Sequence, residues 1–232
     1  YVNDAFGTAH RAHASTAIIA DNFPSTKFFG LLMAKELEAI DKVLKSGDKP
    51  ITAILGGSKV SSKITIIENM LPAIDNLIIG GGMAFTFIRA LGGDIGNSLV
   101  EVDKQTLALE ILQKAKVQNV KVYLPVDSII ADDFNNEAER KEVDIFEIPD
   151  GWMGLDAGVR SRKIFHDVIM NSRTILWNGP IGVFEMSNFA DGTIALGESI
   201  AKATRLGAFS LVGGGDSVAF VKQFGYDEKV SY

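Results

Sequence analysis

The chain has 232 residues, 47% of them hydrophobic and 22% charged, enough for one large α/β domain or one and a half ordinary ones around a sizeable core. A net charge of −6 excludes a general nucleic-acid binder, which needs a basic face, but leaves open an anionic ligand held by a few local cations and helix ends. With no cysteine there are no disulfides and no thiol chemistry, as fits a cytoplasmic protein, and no run approaches the roughly twenty apolar residues that cross a bilayer.

Residues 5–15 are rich in small side chains, hold His10, Arg11 and His13, and show no strand–helix repeat. Residues 28–45 then place Phe29, Leu32, Met33, Leu37, Ile40 and Leu44 at helical spacing, and Ser46-Gly47-Asp48-Lys49-Pro50 ends that helix. We read residues 1–27 as the remnant of a preceding lobe, 28–46 as a long connecting helix and 47–232 as the main domain. From residue 51 a new pattern sets in, of apolar strand, glycine-rich turn and helix. Residues 51–55 run into Gly56-Gly57 and a helix over 61–71, and residues 76–79 run into Gly80-Gly81-Gly82 and a helix over 83–91. An amphipathic helix over 104–118 leads to an apolar run at 120–125. Residues 132–149 are acidic and polar and read as a surface excursion with a short strand near 143–148. Residues 174–177 lead to Asn178-Gly179-Pro180, and 209–212 lead to Gly213-Gly214-Gly215 and a helix over 216–224. The chain opens without methionine and stops at residues 230–232 in what reads as a strand, so both ends read as cut.

Short, almost wholly apolar strands separated by helices are the pattern of parallel strands buried on both faces. The fold class predicted is therefore α/β: a doubly wound parallel sheet of three layers, Rossmann-like, with a remnant of a second lobe and a connecting helix. In such sheets a ligand lies beyond the carboxyl ends of the strands, where all the glycine turns fall.

Glycine after a strand lets backbone N–H groups face a concavity that holds an anion, although a single such turn commonly serves geometry alone. Three glycine clusters at three strand ends of one sheet are harder to assign to geometry only. Neither a Walker loop nor a complete dinucleotide fingerprint is present, since Gly213-Gly214-Gly215 lacks the third glycine at the required spacing. In Gly56-Gly57-Ser58-Lys59-Val60-Ser61-Ser62-Lys63 the two lysines are four apart, either a solvated pair or a pair sharing an anion at a helix N-terminus. Asp216, where the last helix begins, is either an N-cap or a carboxylate for Mg²⁺ on a phosphate chain. The segment from Trp177 to Glu185 is an irregular apolar loop, serving packing or walling a flat ring, with Glu185 available to a sugar hydroxyl. Gly151-Trp152-Met153-Gly154-Leu155-Asp156-Ala157-Gly158 has the same irregular character. His166, in a helix, reads as a satisfied surface residue, and Arg11 has the planar fork that suits a phosphate or carboxylate.

Together the stretch from Tyr1 to His13, the Gly56 to Lys63 run, residues 78–87, 151–158 and 177–185, and Gly213 to Ser217 resemble the phosphoglycerate kinase family, in order along the whole chain. The resemblance implies an enzyme of glycolysis, a phosphotransferase with a carboxyl acceptor. It would move a phosphoryl group reversibly between 1,3-bisphosphoglycerate and Mg-ADP, giving 3-phosphoglycerate and ATP. It implies two lobes joined by a long helix, a monomer, no nucleic-acid or membrane partner, and Mg²⁺ with ADP or ATP. Matched by motif, Arg11 and His10 resemble the grip on the phosphoglycerate. Lys59 resembles the lysine that meets the transferring group and Lys63 the one on the nucleotide phosphates. Gly57, Gly81, Gly82, Gly154, Leu155 and Pro180 resemble the adenine pocket and Glu185 the ribose contact. Gly214, Gly215, Asp216 and Ser217 resemble the phosphate and magnesium site. More than a third of the family's length is absent in front and a stretch is absent behind, so nucleotide binding with poor turnover is expected. The competing readings are a nicotinamide-dependent oxidoreductase on the same kind of sheet, whose fingerprint is missing, and a non-catalytic interaction domain.

Overall fold

The computed structural model describes residues 1–9 and 12–232. The chain divides into two compact units, Tyr1–Ser46 and Gly47–Tyr232.

In the first unit β1 (Val2–Asn3) and β2 (Phe28–Phe29) pair in parallel, and α1 spans Leu31–Leu44. Residues 28 and 29 are thus strand, and the helix begins at Leu31 after Gly30. Its first turn gains an acceptor from outside the helix, because the Met33 N–H donates to Asp4 Oδ1 at 2.7 Å. The buried residues of α1 are Met33, Ala39 and Val43, while Leu32 and Leu37 are exposed. Apolar residues run so far around this helix that periodicity alone leaves its inner face open.

The second unit is built on five parallel strands: β3 (Ile51–Leu55), β4 (Asn76–Ile79), β6 (Lys121–Tyr123), β11 (Thr174–Asn178) and β12 (Phe209–Gly213). Their order across the sheet is β12-β11-β3-β4-β6. The helices between them are α2 (Ile64–Met70), α3 (Ala84–Ala90), α4 (Gln105–Val117), α5 (Val159–Met170) and α6 (Asp191–Arg205), and α7 (Gly215–Gln223) follows β12. From β3 the chain winds one way through β4 to β6, and from β11 it winds the other way to β12. The switch point lies between β3 and β11, where connections leave in opposite directions and open a crevice at the carboxyl ends. Every residue of β3 is buried, as expected for a central strand covered on both faces. Ile54, Ile78, Ile175 and Trp177 share one core with Phe165 and Ile169 of α5, Leu196 and Ile200 of α6, and Phe220 of α7. Right-handed crossovers place α2, α3 and α4 over the opposite face.

Two parts of this unit differ from the sequence expectation. Residues 151–158 are not an irregular loop: β10 (Met153–Ala157) pairs antiparallel with β7 (Asp127–Ala131), which pairs antiparallel with β8 (Arg140–Asp144). The acidic excursion therefore carries the outer strand of a small sheet. Its exposed Arg-Lys-Glu run gives no apolar alternation to read, because one face meets solvent. β5 (Asp94–Ile95) and β9 (Glu147–Ile148) make a further short parallel pair. The last residues form no strand either. Asp227–Lys229 is a 3-10 turn, after which Val212 N–H donates to Tyr232 O at 2.9 Å, so the tail runs beside β12 without a regular ladder. Among the described residues no helix is long and apolar enough to cross a membrane.

Candidate functional site

The strand ends at the switch point are held together through the backbone. Gly56 N–H donates to Asn178 O and Gly57 N–H to Pro180 O, both at 3.0 Å, while Met83 N–H donates to Gly57 O at 2.9 Å. Three loops, after β3, β4 and β11, thereby become one surface. Gly81 shows why no side chain fits there: its φ is +66°, and a Cβ would lie 2.7 Å from Gly57 N and 2.8 Å from Pro180 O.

This surface borders a cavity of about 470 Å³, in the size range of small-molecule sites. Gly57, Gly81, Gly82, Gly154, Leu155, Pro180, Glu185 and Asp216 all line it. Its far wall comes from β10 and the small antiparallel sheet. Gly154 is pressed against Phe85, since a Cβ on it would lie 2.1 Å from the ring's Cζ, and its N–H donates to Ser98 Oγ at 2.9 Å. Phe85, Leu99 and Phe134, together with Asn97 and Met153, complete a largely apolar lining.

The loop after β11 divides its labour. Trp177 is fully buried, with its indole N–H on Gly179 O at 2.8 Å, and Phe184 packs edge-on against Phe220 at 5.5 Å, so these aromatics serve the core. Ile181, Gly182 and Val183 instead wall the cavity, and Glu185 stands exposed at its rim. Beneath that wall lies Asp156, 4% exposed. Its Oδ1 accepts from Ala157 N–H at 2.8 Å and its Oδ2 from Gly192 N–H at 2.7 Å, tying β10 to the start of α6. Burial pushes this carboxyl up to about 7, against the pull of those two N–H groups and of Arg162.

At the opposite rim the charged groups gather. Lys63 is the N-cap of α2 and is half-buried, with its ammonium donating to Asn178 Oδ1. Burial lowers its pKa, and the neighbouring Asp216 carboxylate opposes that shift. Lys59 stands exposed in the loop before α2. The two lysines therefore do not share a helical face: one is pinned to a strand end, the other projects from a loop. Asp216 is not an N-cap, because Gly214 holds that position at φ +88° and Asp216 falls in the first turn of α7. The Ser217 hydroxyl is fully buried and accepts the Gly179 N–H at 2.6 Å, so what this residue offers a ligand is its backbone. Gly214, Gly215 and Asp216 are exposed at this helix start, whose first N–H groups have no intrahelical partner.

A lone exposed carboxylate beside free helix amides fits Mg²⁺, which takes one or two carboxylates and completes its shell with phosphate oxygens and water. Among the described residues there is no cluster of three or more His, Cys, Asp or Glu side chains that would cage a metal unaided. His10 and Arg11 lie outside the described residues. His166 is satisfied by Ser199 Oγ at 2.8 Å. Asn178 and Asp156 received no role from the sequence. A polar residue closing an apolar strand, and an acid inside an apolar strand, were the signals available for them.

The family model described as phosphoglycerate kinase matches residues 1–232. The chain is 58% identical over 233 residues to a phosphoglycerate kinase of Porphyromonas gingivalis, an alignment covering 100% of this chain and 56% of that protein. The structure of phosphoglycerate kinase from Coxiella burnetii matches with a TM-score of 0.91 at 42% identity, covering 100% of this chain and 58% of that one. The crystal structure of phosphoglycerate kinase from Pyrococcus horikoshii matches with a TM-score of 0.79 at 32% identity, covering 97% of this chain and 56% of that one. The chain spans a little over half the length of these relatives.

Proposed function

Because the chain belongs to the phosphoglycerate kinase family, we propose that residues 47–232 are its nucleotide-binding lobe and that the cavity at the β3–β11 switch point takes Mg-ADP or Mg-ATP. The observation that carries this reading is convergence: Gly57, Gly81, Gly154, Pro180, Glu185 and Asp216, drawn from five separate segments, border one cavity. The base lies between the glycine loops and β10, against Leu155, and Glu185 accepts from a ribose hydroxyl. The phosphates turn toward the free amides of Gly215, Asp216 and Ser217, with Lys63 on the inner phosphates and Lys59 on the outermost one. Asp216 holds the magnesium, which when bound neutralises charge on the phosphate oxygens. Arg11 and His10, in the first unit, grip the phosphoglycerate, and α1 serves as the connector.

The reaction is reversible phosphoryl transfer between 1,3-bisphosphoglycerate and ADP, giving 3-phosphoglycerate and ATP. Both acceptor oxygens, one on a carboxylate and one on a phosphate, are already ionised, so no side-chain base or nucleophile is required. Rate comes from holding donor and acceptor in line and cancelling charge on the transferring group. Lys63 suits that work, since its partial burial strengthens its field while Asn178 holds it in place. The chain acts as a monomer in the cytoplasm and, at little over half its relatives' length, binds nucleotide with poor turnover.

Isothermal calorimetry with Mg-ADP tests the reading. Saturable one-to-one binding supports it, and no heat from a folded sample contradicts it.

A further inference from the structure

Glu101 lies beyond the cavity lining, two residues after Leu99 and just before the 3-10 turn Val102–Lys104. Its carboxylate reaches the loop that carries Lys59. Oε2 accepts the Ser61 N–H at 2.9 Å and Oε1 accepts the Ser61 hydroxyl at 2.5 Å. The Val60 N–H adds to this field. Although burial opposes ionisation, the Ser61 hydroxyl and the N–H groups of Ser61 and Val60 outweigh it and hold the carboxyl below its ordinary range. The donors involved belong to the turn leading into α2, where backbone N–H groups have no partner within the helix. Glu101 therefore caps that turn from a distant segment.

Glu101 is itself anchored. Its own N–H donates to Thr86 Oγ1 at 3.1 Å, and Thr86 is fully buried in α3. The turn entering α3 contains Gly81 and Gly82 on the cavity wall, and Met83 N–H returns to Gly57 O at 2.9 Å. Within the Lys59 loop, Ser62 Oγ donates to Lys59 O and Lys63 N–H to Val60 O, both at 2.8 Å. The contacts close a ring from Gly57 through Lys59, Ser61, Glu101, Thr86 and α3 back to Gly57. One side of that ring faces the base through Leu99 and Gly82, and the other carries a cation.

We propose that Glu101 is a positioning residue for Lys59: by tying the Ser61 turn to the segment bearing Leu99, it links the wall of the base pocket to the placement of the cation on the outermost phosphate. This rests on the nucleotide reading above and adds a residue to it. A side chain that merely stabilised the fold would weaken all nucleotides alike. A positioning role weakens only those long enough to reach Lys59.

The test is calorimetry of AMP, Mg-ADP and Mg-ATP with wild type, Glu101→Gln, Ser61→Ala, Lys59→Ala and the Glu101→Gln/Lys59→Ala double variant. Each single variant should leave AMP affinity within about twofold and lower Mg-ATP affinity by roughly 10–100-fold, the scale of one hydrogen bond to a charged group. In the Lys59→Ala background Glu101→Gln should cost nothing further, because its effect passes through that lysine. Should Glu101→Gln fail to fold, Ser61→Ala, which removes only the hydroxyl, carries the same expectation. Equal losses for AMP and Mg-ATP, or no loss for Mg-ATP, overturn the proposal alone. Wild-type protein that binds none of the three overturns it together with the nucleotide reading.

Discussion

The two ends of the cavity are made differently. At the end proposed for the base the walls are backbone and buried side chains: Gly81 against Gly57 and Pro180, Gly154 against Phe85, Leu155 at 7% exposure. At the end proposed for the phosphates Lys59, Gly214, Gly215 and Asp216 are exposed, and Lys63 is half-buried. A close-packed wall fixes shape in advance and tolerates almost no added volume. An exposed charged rim adjusts to its ligand and acts through charge and hydrogen bonding. Substitutions at the base end should therefore act as near-complete losses, and those at the phosphate end as graded ones.

The largest effect is expected at Gly154. A valine there would drive its Cβ to 2.1 Å from the Phe85 ring, inside any permitted contact. Gly154→Val should lose Mg-ADP affinity by at least about 100-fold and cost about 1–3 kcal/mol of stability from overpacking. Calorimetry and urea denaturation read the two, and retention of full affinity would show that this wall does not meet the base.

Asp156 comes next, beneath the same wall. Its carboxyl is raised to about 7 in the folded chain, against about 3.9 when unfolded. For an acid with a raised folded pKa the folded state binds the proton more tightly. Its contribution to stability is thus fully present below about pH 4 and lost progressively as pH rises to about 7, on the order of 4 kcal/mol across that window. Asp156→Asn keeps the shape and removes the titration, so its stability curve from pH 4 to 7 should be flatter than that of the wild type. A slope unchanged in the variant would assign the proton uptake elsewhere.

Lys63 sharpens the contrast from the charged end. Lys63→Ala should weaken Mg-ADP by about 10–100-fold, the range for losing a charge-assisted bond, without moving the melting temperature greatly. A collapse of the fold in Lys63→Ala would make its link to Asn178 structural first, and the two ends alike.

The sequence disclosed the base end better than the phosphate end, for a physical reason. Strands such as Ile51–Leu55 and Asn76–Ile79 are almost wholly apolar runs followed by glycine, with Thr52 and Asn76 the exceptions, as burial on both faces favours. Their register across the sheet then brings Gly57, Gly81 and Pro180 together, which needs no side-chain detail. The small antiparallel sheet was not legible, because β8 is largely exposed and β10 contains Gly154 and the buried Asp156, features of loops in a one-dimensional reading. At the charged rim, spacing placed Lys59 and Lys63 as a pair. The turn that precedes Ile64 separates them, and what pins that turn is Glu101, forty residues away in sequence. No local pattern contains a contact of that separation. Ser217 shows the same gap from the other side, since a hydroxyl at a helix start reads as ligand-facing and here accepts the Gly179 N–H.

Amide hydrogen exchange of the folded chain with and without saturating Mg-ADP addresses the central claim most directly. Protection should concentrate in residues 57–63, 81–85, 154–156, 180–185 and 214–218, the segments that border the switch-point cavity or supply its charged rim. Protection concentrated instead at the opposite end of the sheet, in the groove bordered by Lys49, Asn76, Asn119 and Lys121, would contradict the account.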